Sequence, residues 1–378
     1  MPHFFRLLLP ALALVLAGCA SQPPAQFAAE AQLAPDDLLD GRPFGVGPAE
    51  APEDPALLAV NDDMRAFLAE RVPERASDSR KVELILEGIL AGGLELEYDN
   101  LLTLPASEAF YRRAGNCMSF TNLFLALARE VGLRASYQEV MVPPTWTEGE
   151  HAWFYNLHVN VLVDLPGAEQ VVDFNLGDYM RAYPRRLISD EAGESRYHNN
   201  LGVHFMTHED PARAFLHFRR ALALQPGAGH VWTNLGTLYR RQGELARAEA
   251  AFRHAIELDH EPVAMSNLAR LYREQGLPQL AANYARQVDR VRSKNPYYQY
   301  YRAKQSYDAG AYLNAQRHLE KALRTQAKDH RFHHLMAMIL TQRRQPELAR
   351  QFLRQAEALA VDSEKQRYGN KLELLAGG

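Results

Sequence analysis

Cysteine is nearly absent from this sequence. Cys19 and Cys117 are the only two among 378 residues, which excludes a disulfide framework. No Cys-x-x-Cys pair occurs, so the usual structural zinc site is excluded as well. Long apolar runs are also scarce. Leu7 to Ala17, broken by Pro10, spans eleven residues, whereas about 20 are needed to cross a bilayer. A hydrophobic fraction of 47% is ordinary for a globular protein, which argues against wholesale disorder and against a polytopic membrane protein. The length fits two to three domains.

Basic residues are scarce in the first half only. Residues 1–195 hold 14 Lys/Arg against 29 Asp/Glu, a balance of −15; residues 196–378 hold 28 against 17, a balance of +11. The net charge of −4 is their near-cancellation. A basic half can bind nucleic acid. It can equally bind an acidic protein partner, or dock on the acidic half of its own chain.

At the amino terminus, Arg6 precedes the apolar run, whose length fits the h-region of a signal peptide. The run ends in Leu16-Ala17-Gly18-Cys19, which resembles the bacterial lipobox. The resemblance implies removal of residues 1–18 and diacylation of the Cys19 thiol. Acyl chains contribute about 0.8 kcal/mol per buried CH₂, so two or three of them anchor firmly. Ala20, in place of the Asp that resembles an inner-membrane retention signal, points to the outer membrane of a Gram-negative bacterium. The mature chain is then expected in the periplasm, anchored through lipid, where nucleic acid is not an expected partner. Residues 19–55 are rich in Pro, Ala, Gly and acidic residues. Their hydrophobic periodicity is weak, so they read as a lipidated cysteine followed by a flexible tether.

The basic half repeats itself. Small residues recur at Gly202, Gly236, Ala269, Ala303 and Ala337, spaced 34, 33, 34 and 34. Twelve residues after each mark stands an alanine: Ala214, Ala248, Ala281, Ala315 and Ala349. Nineteen after come Ala221, Ala255, Val288, Ala322 and Ala356. Offset sixteen carries Phe218, Phe252, Leu319 and Leu353, with Ala285 as the weak member. Aromatics at offset three (Phe205, Tyr239, Tyr272) give way to Ser306 and Leu340 in the last two units. The pattern resembles the tetratricopeptide repeat, a 34-residue helix–turn–helix. It implies five repeats over residues 195–358, stacked into an all-α solenoid with a groove for a protein or peptide ligand. Residues 359–378 would supply a capping helix.

The acidic half, residues 56–190, reads as an α+β domain. Ala56 to Val72 and Asp78 to Leu90 are helix-like, the second with Leu84, Ile85, Ile89 and Leu90 as its apolar face. Phe120, Leu123, Phe124, Leu127, Ala128 and Val131 give a core-facing helix that Gly132 ends. Cys117 stands at the start of that helix, just behind Gly115. Helix N-termini stabilise anions, and a thiolate placed there is a better-populated nucleophile near neutral pH, especially beside an imidazole. Strand-like alternation follows over Ser136–Val142, Phe154–Val163 and Gln170–Phe174, with a turn at Pro166-Gly167. This places His158 and Asp173 on neighbouring strands.

Gly115-Asn116-Cys117 opening an apolar helix, His158 on a strand and Asp173 on the next resemble the transglutaminase-like core of the papain-like cysteine enzymes. The resemblance covers residues 112 to 176. It implies that Cys117 attacks an amide carbonyl, that His158 moves the proton and that Asp173 orients the imidazole, the logic of other triads. His151, in His151-Ala152-Trp153, is the alternative base; His158 is preferred for its place within the alternating strand. The backbone N–H of Cys117 is the natural oxyanion donor. The resemblance implies no cofactor and no metal. It points to a membrane-anchored cysteine peptidase, amidase or transamidase with a ligand-binding solenoid. The alternative is a non-catalytic scaffold of a cell-envelope complex. The substrate, the acyl acceptor and the oligomeric state are not written in the sequence.

Overall fold

The expected apolar spacings set most of the helices. In the computed structural model, which describes residues 33–53, 55–90, 94, 96–141, 157–174, 184–259 and 262–360, the acidic half opens with α1 (Asp62–Arg71) and α2 (Asp78–Leu90). The first is shorter than expected, because Asn61 caps it by accepting from the Met64 N–H, so the chain from Ala56 to Asn61 stays outside the helix. On α2 the buried face is Val82, Ile85 and Ile89. Leu90, expected on that face, is 56% exposed, because each helical step turns about 100° away from its neighbour.

A short parallel pair follows, β1 (Glu97–Tyr98) with β2 (Ala114–Gly115), enclosing α3 (Ala106–Arg112), none of which the sequence pattern announced. The predicted central helix is α4 (Cys117–Glu130), buried continuously from Met118 to Ala128. Among the described residues, four strands then form one antiparallel sheet: β3 (Arg134–Met141), β4 (Leu157–Leu165), β5 (Ala168–Val172) and β6 (Arg185–Leu187), in the order β5-β4-β3-β6. The β4–β5 hairpin turns at Pro166-Gly167 as predicted, with Gly167 at φ +80. The core lies between α4 and the sheet, where Leu123, Phe124 and Leu127 meet Val159, Val161 and Val163.

Among the described residues, the basic half forms five antiparallel helix pairs: α5 (Asp190–Thr207) with α6 (Pro211–Leu224), α7 (Gly229–Arg241) with α8 (Leu245–Asp259), α9 (Pro262–Glu274) with α10 (Pro278–Lys294), α11 (Pro296–Asp308) with α12 (Tyr312–Thr325), and α13 (His330–Gln342) with α14 (Pro346–Leu359). The small-residue marks have a direct steric cause. A Cβ added at Gly202 would sit 2.5 Å from the Phe218 ring, and one at Gly236 would sit 2.7 Å from Phe252. These two glycines are thus the seats for the Phe rings sixteen residues on, and the small residues at offsets twelve and nineteen are buried throughout the repeats.

Two boundaries differ from the expected ones. The first repeat begins at Asp190, where Ser189 caps α5, so no linker separates a domain ending at 190 from repeats starting at 195. Helix α5 belongs to both halves. Tyr197 joins the core of the sheet half, and a Cβ at Gly193 would meet the Tyr137 ring at 2.7 Å. Glu139 of β3, almost fully buried, pairs with Arg196 of α5 and accepts from Arg186 of β6 at 2.6 Å. Arg129 of α4 grips Asp190 with two bonds of 2.7 and 2.9 Å.

The tether expected over residues 19–55 also fails as a description of its second part. Residues 33–50 form two short 3₁₀ turns, Pro35–Leu39 and Arg42–Phe44, that pack on the solenoid. Leu38 is 1% exposed. Phe44 stacks on Phe215 of α6 at 4.8 Å. Tyr239 donates to the Leu38 carbonyl at 2.7 Å and Arg247 to that of Asp37 at 2.6 Å. Arg219 donates to the carbonyls of Gly47 and Glu50. The segment lacks periodicity because turns, not a helix or strand, bring its few apolar residues down. Residues 1–32, with Cys19 and the apolar run, lie outside the described residues, as does all but the start of the expected capping helix. No described helix is long and apolar enough to cross a membrane.

Candidate functional site

Cys117 is the first residue of α4, and its half-buried thiol is held there by a polar clamp. Asn116, the N-cap, accepts from the Ser119 N–H at 3.1 Å and donates through Nδ2 to Thr103 Oγ1 at 2.7 Å. Ser119 Oγ in turn accepts from the Leu104 N–H at 2.8 Å and donates to the Leu102 carbonyl at 3.0 Å. This explains the glycine of the motif. A Cβ on Gly115 would fall 2.5 Å from the Ser119 Cβ, so any other residue would force the clamp apart. With Asn116 covering Ser119, the amides of Cys117 and Met118 are left as first-turn donors that no intrahelical carbonyl takes.

His158 lies near the start of β4 and Asp173 follows the end of β5, so the hairpin register brings them together. The His158 Nε2 is 2.7 Å from both carboxylate oxygens of Asp173. Both side chains are only 4% exposed. The imidazole is also hydrogen-bonded to the Cys117 side chain. Burial alone would push the His158 pKa down, but the hydrogen bonds and charges of Asp173 and Cys117 outweigh it and push it up to about 9. The imidazole therefore stays protonated near neutral pH, between a carboxylate and a sulfur.

The three preferred residues thus converge, from a helix N-terminus and two adjacent strands. His151, the alternative base, lies outside the described residues. Asn160 was not singled out from the sequence: fully buried two residues beyond His158, it donates to Asp173 Oδ2 at 2.8 Å. The period of two along a strand was the available signal, since residues i and i+2 share a face. The clamp of Thr103 and Ser119 on Asn116 was also missed, because residues 102–104 precede a helix that the pattern did not reveal. Among the described residues, no group of three or more His, Cys, Asp or Glu could hold a metal ion. A thiol, an imidazole and a carboxylate in this order can activate a nucleophile and return its proton to a leaving group.

No curated protein matches this chain. Among solved structures, PilF of Pseudomonas aeruginosa aligns at 20% identity over 47% of this chain and 82% of its own, with a TM-score of 0.26. YrrB, described as a tetratricopeptide repeat protein with an unusual peptide-binding site, aligns at 15% over 48% of this chain and 93% of its own, with a TM-score of 0.25. A tetratricopeptide repeat protein from Parabacteroides merdae aligns at 20% over 49% and 74%, with a TM-score of 0.26. The tetratricopeptide repeat family profile matches residues 233–297, which span parts of the second and third helix pairs, and the chain therefore carries tetratricopeptide repeats.

Proposed function

We propose that the chain is a lipid-anchored cysteine peptidase, amidase or transamidase of the bacterial envelope, with a transglutaminase-like catalytic half and a repeat solenoid that presents the substrate. The observation that carries the reading is the buried His158 held between Asp173 and Cys117. In the proposed reaction the Cys117 sulfur adds to an amide carbonyl carbon. The first-turn amides of α4 receive the negative charge that develops on the oxygen. His158, protonated at Nδ1, delivers its proton to the departing amine as the C–N bond breaks and the thioester forms. Neutral His158 then takes a proton from water or from an acceptor amine, which attacks the thioester and frees the thiolate. Asp173 keeps its place on Nε2 throughout. Tetratricopeptide repeats bind proteins and peptides, so the substrate is a peptide amide or a cross-link. Cys19 would hold the enzyme on the outer membrane from the periplasmic side; its replacement by Ser should release the chain from the membrane fraction.

Peptide-resolved alkylation tests the nucleophile. Near pH 6 Cys117 should react with iodoacetamide faster than a free-thiol control; equal or slower reaction rejects an activated thiol. The repeat match favours a second reading, a scaffold that organises an envelope complex without turnover. A strain carrying Cys117→Ala separates the two: loss of function supports catalysis, and full function supports the scaffold.

A further inference from the structure

We propose that Asn160 is a positioning residue for the triad, whose amide holds the Asp173 carboxylate in place on His158 Nε2. The proposal rests on the catalytic reading of Cys117, His158 and Asp173. Asp173 lies one residue past the last paired position of β5, where Val172 faces Val161. The sheet ladder thus stops just short of it, and side-chain bonds must fix its carboxylate. Among them, His158 supplies one at 2.7 Å and Asn160 another, its Nδ2 donating to Oδ2 at 2.8 Å. Both donors come from the same face of β4, two residues apart.

The amide has only one usable orientation. Turned over, it would place Oδ1 against a carboxylate oxygen, two acceptors facing each other. With Nδ2 committed to Asp173, Oδ1 points away, and it is buried without a hydrogen-bond partner among the described residues. An unpaired buried acceptor is destabilising, and Asn is disfavoured in strands. Leucine, of similar size, would suit a fully buried strand position better. For folding alone, Asn is therefore a poor choice at this position. What it supplies is a neutral donor to the carboxylate, which fixes the carboxylate's direction without competing for its charge. Without that donor the carboxylate can rotate off Nε2, and His158 loses one of the two partners that keep it protonated.

The test is peptide-resolved alkylation of Cys117 by iodoacetamide from about pH 5 to pH 9, on the full chain, with thermal melting in parallel. In Asn160→Leu the rate near pH 6 should fall about tenfold or more, with convergence toward the wild-type rate near pH 9. Its Tm should be unchanged or higher. Asn160→Ala, which removes the donor without adding bulk, should show the same loss of rate and keeps the test valid if the leucine variant does not fold. A wild-type rate profile in either folded variant overturns the proposal, as does a loss of rate that simply tracks a loss of stability. If the wild-type chain itself alkylates like a free thiol at every pH, the catalytic reading fails, and the role of Asn160 fails with it.

Discussion

The solenoid and the sheet half are specified by different kinds of contact. In the solenoid, small-residue marks receive large apolar side chains, as Gly202 receives Phe218 and Gly236 receives Phe252. The same shape match recurs along the chain, with Ala337 and Leu353 both buried in the last pair. In the sheet half the decisive contacts are polar and occur once: Asn116 with Thr103 and Ser119, and His158 with Asp173. Apolar fit is additive and forgiving of conservative exchange. A buried polar network is directional, so losing one member strands the others. The two halves should therefore respond differently to substitution.

The largest effect is expected at the imidazole. His158→Ala should lower the alkylation rate of Cys117 near pH 6 by about 10²-fold or more, the scale typical of a lost proton-transfer group; a variant that reacts at the wild-type rate refutes the relay. Next in size is the joint. Glu139→Ala leaves Arg196, with a side chain only 9% exposed, without its buried partner. Breaking such a pair costs about 3–5 kcal/mol, and melting followed separately in the two halves should show them uncoupling. Within the solenoid, Phe252→Ala should cost about 3–5 kcal/mol by opening a cavity while leaving Cys117 alkylation unchanged at temperatures where the protein is folded. That combination of lost stability and intact reactivity is the clearest contrast between the halves.

A smaller effect links pH to stability. His158 has an ordinary value of 6.5 that folding pushes up to about 9. The folded state thus binds this proton more tightly than the unfolded chain. The stabilisation is fully present below about pH 6.5 and is lost as pH rises through about 9. The Tm advantage of wild type over His158→Gln should accordingly shrink between about pH 7 and pH 9.5; an advantage that grows would contradict the direction of the shift. The smallest effect is expected from Phe44→Ala, which removes one half-buried ring from the surface of the solenoid. It should speed proteolysis within residues 33–50 and leave the global melt within about 1–2 kcal/mol of wild type.

The repeats were legible because one spacing rule is written five times, and misreading a single residue such as Ala285 does not hide it. The juxtaposition of Cys117, His158 and Asp173 was legible because a helix N-terminus and two alternating strands carry their own periods. What escaped had no period of its own. Residues 33–50 hold only a few apolar side chains, among them Leu38, Phe44 and Val46, at irregular intervals among Pro and Gly, so nothing in their pattern reports the surface that receives them. Asn160 escaped for another reason: its partner Asp173 is thirteen residues away, and only the hairpin register makes them neighbours. The start of the first repeat was misplaced because the leading turn of α5 faces β3, so its sequence follows the needs of the sheet rather than those of the repeat.

The docking of residues 33–50 on the solenoid also sets a leash. On the lipid-anchored reading, a free tether from Cys19 to residue 55 would let the folded body stand off by up to ~125 Å at full extension. With Leu33 packed on the solenoid, the chain from Cys19 to the docked segment is fourteen residues, a reach of at most ~50 Å. On that reading the point of attachment stays within that radius of the lipid surface, and the substrate would have to come to the membrane to meet the thiol.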